Sequence, residues 1–228
     1  MSGTVFGPEL FTFLRSLKRN NTRPWFEKNK PRYEHDVKEP VLEFIRAAQP
    51  GVRAMSEQLV CDPRPVGGSM FRIYRDTRFS KDKTPYKTHA SAHFRHRAGK
   101  DVHAPGVYVH LEPGEVFVAA GLWHPETEQA QKIRRSIAAN GDAWKRAIGS
   151  REFRKLAVLG GESLKRPPKG FDPEHPLLEH LKRKDWIASV QIGEKVATSP
   201  AFLDRFAAAL KVLTPMMSFL TRASGFPF

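Results

Sequence analysis

Six cations fall within sixteen residues at Arg72, Arg75, Arg78, Lys81, Lys83 and Lys87, interleaved with Tyr74, Phe79 and Tyr86. Arginine offers a planar fork of donors that fits phosphate or carboxylate, lysine offers a point charge, and backbone amides in a turn can complete an anion nest. The stretch is therefore a candidate site for a small anionic ligand. Arg72, Arg75, Arg78 and Lys83 are its expected contacts and Tyr86 is a wall. Asp76 is placed to orient an arginine or to act as a base. His124, at the corner Leu122-Trp123-His124-Pro125-Glu126, is a candidate proton shuttle, because imidazole exchanges protons near neutral pH. The competing reading is a loop pinned by ion pairs of Arg75 and Asp76, with its lysines in water.

Other chemistry is less well supported. His89 and His93 sit four apart, a separation of about 13 Å along a strand at roughly 3.3 Å per residue, so they cannot share an ion unless residues 88–97 are helical. His96, His103 and His110 have no His-Glu-x-x-His context, and Cys61, the sole cysteine, excludes an internal disulfide and a four-cysteine zinc site. No metal site is assigned. Pro65-Val66-Gly67-Gly68-Ser69 leads into a strand rather than a helix, so it is a poor phosphate loop, and no G-x-S-x-G elbow occurs. The sequence names no cofactor.

Charge points the same way as the motif. The chain of 228 residues carries a net charge of +14, which favours anionic partners. Residues 64–97 hold nine Lys/Arg against two Asp, a surplus of seven that accounts for half the total. A second basic region, residues 145–169, holds eight Lys/Arg against Glu152 and Glu162 and reads as a solvated face. Within it, Lys165-Arg166-Pro167-Pro168-Lys169-Gly170-Phe171 is either a stiffened loop over an anion or a linker. No apolar run is long enough to span a membrane, and the opening MSGTVFGPELFTFLRS lacks a basic region followed by an apolar one. The expectation is a cytoplasmic protein with no membrane partner.

The elements that must position these groups follow from periodicity. Pro8 opens a first helix with Leu10, Phe11, Leu14 and Leu17 on one side, and Asn20-Asn21 stops it. Thr22 caps a second, whose stripe of Tyr33, Val37, Val41, Phe44, Ile45 and Ala48 runs towards Gln49-Pro50-Gly51, with Pro31 and Pro40 breaking or kinking it. Strands are expected at 69–75, 88–95, 106–111, 115–122 and 185–190, with Glu112-Pro113-Gly114 joining a hairpin. Helices are expected at 126–139, at 142–148 capped by Asp142, at 150–158 capped by Ser150, and after Ser199-Pro200 with Phe202, Phe206, Leu210, Leu213 and Met217 buried. Residues 160–176 are a Gly/Pro-rich loop. The pattern predicts an α+β fold, a central antiparallel sheet of about five strands flanked by N- and C-terminal helices, in a single domain over 1–228.

Arg72-x-x-Arg75-Asp76-x-Arg78-Phe79-x-x-x-Lys83-x-Pro85-Tyr86 resembles, at every fixed position, the signature of a bacterial family known as domain of unknown function 2461. The segments FLRSLKRNNTRPWFEKNKPRY, GLWHPE and LKRPPKGFDPEHPLLEHLKRKDW resemble it too, over nearly the whole chain. The resemblance implies family membership and a single domain, and no particular reaction.

Three functions follow in order of preference. The first is a pocket for a phosphate- or carboxylate-bearing ligand, with any enzymatic step unassigned. The second is nucleic-acid binding through the basic stretch and residues 145–169, with aromatics for stacking. The third is a scaffold or interaction module in which the motif only holds the fold.

Overall fold

A computed structural model describes residues 4–99 and 103–228. Pro8 sits in the first turn of α1 (Pro8–Arg19), where its missing N–H would have had no partner, and Leu10, Phe11, Phe13, Leu14 and Leu17 are buried along it. Thr22 caps α2 (Arg23–Tyr33), its hydroxyl accepting from the Trp25 amide. The chain does not break at the prolines. It passes through a π-helical turn, Glu34–Lys38, into α3 (Glu39–Met55). Pro40 cannot donate to the carbonyl four residues back, and its ring crowds that carbonyl. Widening the turn, so that the Glu39 amide reaches the Glu34 carbonyl, relieves the conflict. Pro50 is also tolerated, and α3 continues to Met55 rather than ending near Gly51.

The sheet is five-stranded and antiparallel, in the order β1-β2-β3-β5-β4. Its strands are β1 (Ala90–Arg95), β2 (Gly106–Glu112), β3 (Glu115–Leu122), β4 (Ala157–Gly160) and β5 (Trp186–Gln191). The central hairpin closes at Glu112↔Glu115 around Gly114, whose φ of 86° suits glycine. Alternation gives the sheet two unlike faces. Ala92, Phe94, Val107, Val109, Val118, Ala120, Trp186 and Ala188 join one core with α1, α3 and α9 (Phe202–Ala223). There Phe44 packs against Phe6, Phe94, Phe202 and Phe206 at ring separations of 5.2–6.0 Å. The fold is α+β, with helices at both ends of the chain flanking the sheet.

Two expected elements differ. Residues 69–75 are not a strand: the Phe71 amide donates to the Ser91 carbonyl, but the Arg75 amide donates to Pro85 and the Lys87 amide to Ile73. The segment divides its backbone between β1 and the loop that follows, leaving only isolated bridges, Met70↔Ala92 and Tyr74↔Tyr86. The fifth strand is instead β4. Helix α6 (Arg151–Leu156) is capped by the Ser150 hydroxyl as expected, but it ends at Leu156. Ala157-Val158-Leu159 then pairs with the free edge of β5, since a short apolar run fits strand or helix and the available partner decides. Helices α4 (Thr127–Ala139) and α5 (Gly141–Gly149) lie near their expected spans, although Asn140 and not Asp142 precedes α5. Two further short helices, α7 (Leu178–Leu181) and α8 (Glu194–Ala197), flank β5.

Candidate functional site

The second face of the sheet is only partly covered. Phe71, His93, Tyr108, Phe117, Ala119, Trp123 and Ile187 line a cleft of about 420 Å³ on it. Each has a local reason to be there. His93, Tyr108 and Ala119 are consecutive cross-strand partners on β1, β2 and β3. Phe71 reaches them because its backbone is bound to β1, and its ring lies nearly parallel to His93 with centroids 6.2 Å apart. A larger hollow of about 500 Å³ is an open groove between α5 and α9. It brings no cluster of titratable groups together, whereas polar groups gather at both ends of the sheet cleft.

At one end stand His89, His110 and Glu112. The two imidazole centroids are 4.5 Å apart, and His110 stacks on Phe117 at 4.9 Å. His110 Nδ1 is 3.0 Å from the Tyr108 hydroxyl, and its Nε2 is 3.3 Å from Glu112 Oε2. The other Glu112 oxygen accepts from the Thr88 hydroxyl at 3.0 Å and lies 3.6 Å from Lys18 Nζ. Burial alone would raise the Glu112 pKa, but the bonds from Thr88 and His110 and the Lys18 charge hold it below the ordinary value. Desolvation, then the neighbouring His110 and Lys87, push His89 down to about 4. Desolvation with Arg95 nearby does the same to His93.

At the other end, Trp123 is 49% exposed and stacks on His124 at 4.3 Å. His124 holds a φ of 47°, the one non-glycine residue with positive φ among those described. Asp185 keeps it there. This carboxylate is 1% exposed. Its Oδ1 accepts from the His124 amide at 2.7 Å and also lies 2.7 Å from His124 Nδ1, a contact of ion-pair distance without hydrogen-bond alignment, and its Oδ2 accepts from the Glu162 amide at 2.8 Å. A buried carboxylate beside Nδ1 holds the half-exposed ring at the corner, and imidazole is a side chain suited to proton transfer.

The basic motif is organised differently from the expected pocket. Arg75 pairs with Asp82 and also donates to Thr84. Arg78, whose side chain is 77% exposed, pairs with Asp76 at 2.7 Å. Lys83 Nζ donates to the Thr77 carbonyl at 2.8 Å. Tyr86 is buried, stacked on Phe26 at 4.1 Å, with its amide and carbonyl both bound by the Asn21 side chain. These residues secure their own loop, and their heads do not converge. Hydrogen bonding from Arg78 lowers Asp76 to about 2, so it is an ionised partner rather than a proton acceptor. Lys87 is the cation beside the cleft, and Arg72, which lines a separate hollow with Tyr33 and Tyr74, is near enough for its charge to act on Lys87. Lys87 Nζ lies 5.0 Å from the centroid of Phe71 and has no carboxylate partner among the described residues; desolvation and then the Arg72 charge lower its pKa.

Cys61 is partly buried, and burial pushes its thiol up to about 12, as suits an unreactive residue. Sequence reasoning did not single out Lys87, Glu112 or Asp185. Tyr108 and His110 alternate along the predicted strand 106–111, a signal available in advance, whereas Glu112, expected in the turn, proves to be the last residue of β2. Nothing local links Asp185 to His124 across sixty-one positions.

A family model described as conserved hypothetical protein (DUF2461) matches residues 9–219. No curated protein matches the chain.

Proposed function

The chain belongs to the DUF2461 family, and we propose that it binds a small organic anion on the open face of its sheet. The aromatic floor takes an apolar or aromatic body, and Lys87 with Arg72 takes a carboxylate or phosphate. The observation that carries this reading is Lys87. An ammonium drawn out of water over Phe71, with no carboxylate among the described residues to offset its desolvation, is costly unless an anion completes it. Of the cations singled out from sequence, Arg72 stays in the proposed contact set. Arg75, Arg78 and Lys83, with Asp76 and Tyr86, support it by fixing the loop that carries Phe71 and Lys87. His124, held by Asp185 beside Trp123, is the group of the proposal suited to move a proton. No reaction is assigned to it.

The test is thermal stabilisation by a panel of aryl carboxylates, aryl phosphates and inorganic phosphate. The reading expects aryl anions to raise the melting temperature, Lys87→Ala to abolish that rise, and Arg78→Ala to leave it intact. No response to any aryl anion at millimolar concentration would sink it.

One observation favours nucleic acid as a second reading. Phe79 is 96% exposed beside Arg78, whose guanidinium is 5.8 Å from the ring centroid, an aromatic and cation pair suited to stacking a base. That reading requires affinity for single strands that falls steeply with salt and is lost in Phe79→Ala.

A further inference from the structure

We infer that His89, His110 and Glu112 form a binding site for a divalent first-row transition metal of the zinc type. The donor atoms of all three side chains lie within 4.8 Å of one another. His110 Nε2 and Glu112 Oε2 are already 3.3 Å apart, close to the edge of about 3.4 Å expected for a tetrahedron with bonds of about 2.0–2.1 Å. Two imidazoles and one carboxylate form the mixed nitrogen and oxygen set that such ions prefer over magnesium or calcium, which take oxygen alone. Three protein ligands also leave a coordination position open.

The surroundings are those of a supported ligand set. A metal on His110 Nε2 places the proton on Nδ1, which then donates to the Tyr108 oxygen 3.0 Å away and fixes the ring. Glu112 Oε1 is held by Thr88 and Lys18, so Oε2 is the oxygen left for the ion. His110 is 8% exposed. His89, partly buried, makes no side-chain hydrogen bond among the described residues, although its ring is packed against His110. A partly buried imidazole without a hydrogen bond, next to a second imidazole and a carboxylate, is satisfied by sharing their ion. The strand geometry that separates His89 from His93 is what permits this: β2 supplies the other ligands from across the ladder, His110 being paired with Ser91 and Glu112 lying two residues further along the same face.

The inference is independent of anion binding, because it is read with metal alone. Untagged full-length protein, freed of metal by a chelator, is titrated with cobalt(II) and followed by visible absorption, then with zinc in competition. The expected result is one saturable site of micromolar or tighter affinity. His110→Ala and Glu112→Gln should each weaken it at least ~10-fold, and Tyr108→Phe about 10-fold through the lost orienting bond. His103→Ala, outside the cluster, should leave it unchanged. If His110→Ala does not fold, as judged by circular dichroism, His89→Gln decides by the same criterion. Cobalt binding no tighter than millimolar in the wild type, or unchanged affinity in the folded ligand variants, would overturn the assignment.

Discussion

Replacing Asp185 by alanine removes the anchor of the corner that carries His124. The carboxylate accepts from two backbone amides and lies against one imidazole nitrogen, with all three distances between 2.7 and 2.8 Å, and it is 1% exposed. Stranding a fully buried amide costs about 1–3 kcal/mol; these two belong to exposed residues and their bonds are only partly buried, so together they cost roughly 2–3 kcal/mol. The imidazole is half-exposed and regains water, so it adds little. A water entering the vacated space sets a lower bound of about 2 kcal/mol on the loss. For a chain of this size about 2–4 °C of melting temperature corresponds to each kcal/mol, which predicts a fall of about 4–12 °C. Asp185→Asn is expected to be nearly as harmful, because its NH2 group must face one of the two backbone N–H donors. His124→Gly is expected to be close to neutral, since it loses the ring contact but relieves the φ of 47°. Differential scanning calorimetry on the three variants is the assay. A fall of under 3 °C in Asp185→Ala would refute the claim that this carboxylate holds the corner.

Three further outcomes are expected. Gly121→Ala should fail to accumulate as folded protein, because a Cβ there would lie 1.9 Å from the Trp186 carbonyl at a φ of 135°; normal expression and melting would contradict the register of β3 with β5. Ala119→Phe should fill the cleft and abolish stabilisation by aryl anions while the circular dichroism spectrum stays native, and retained binding would move the ligand elsewhere. His93, with Arg95 on its own strand and Tyr108 opposite, is depressed from 6.5 to about 4. The unfolded chain therefore takes up a proton between these values while the native one does not, so stability rises with pH across about 4 to 6.5 and is level above. At 1.36 kcal/mol per unit this is on the order of 3 kcal/mol. His89, lowered in the same way, adds a similar contribution, so urea unfolding at a series of pH values should show a slope that His93→Gln reduces by about half; an identical slope in the variant would contradict it.

The helices and the hairpin were legible because their signals are local. Pro8, Thr22 and Ser150 mark helix starts by chemistry within one turn, and Glu112-Pro113-Gly114 marks the central turn. The exchange of 69–75 for β4 was not legible, since both segments are short and the outcome rests on which neighbour offers a free backbone edge. The basic motif was visible as a cluster of types, but spacing alone does not say that Asp76 and Asp82 lie close enough to claim Arg78 and Arg75. Lys87 differs from the motif's other cations only through its burial over Phe71, a tertiary fact. Tyr108 and His110 share a strand face that alternation reveals, whereas Glu112 joins it as the last residue of β2 rather than the turn, and their meeting with His89 depends on the register of β1 against β2.

The location of the ligand is tested most directly by amide chemical-shift mapping during titration with an aryl carboxylate. The account predicts that the largest shifts fall on Phe71, Lys87, His93, Tyr108, Ala119 and Trp123. Shifts confined to the loop from Asp76 to Lys83, or to residues 145–169, would contradict it.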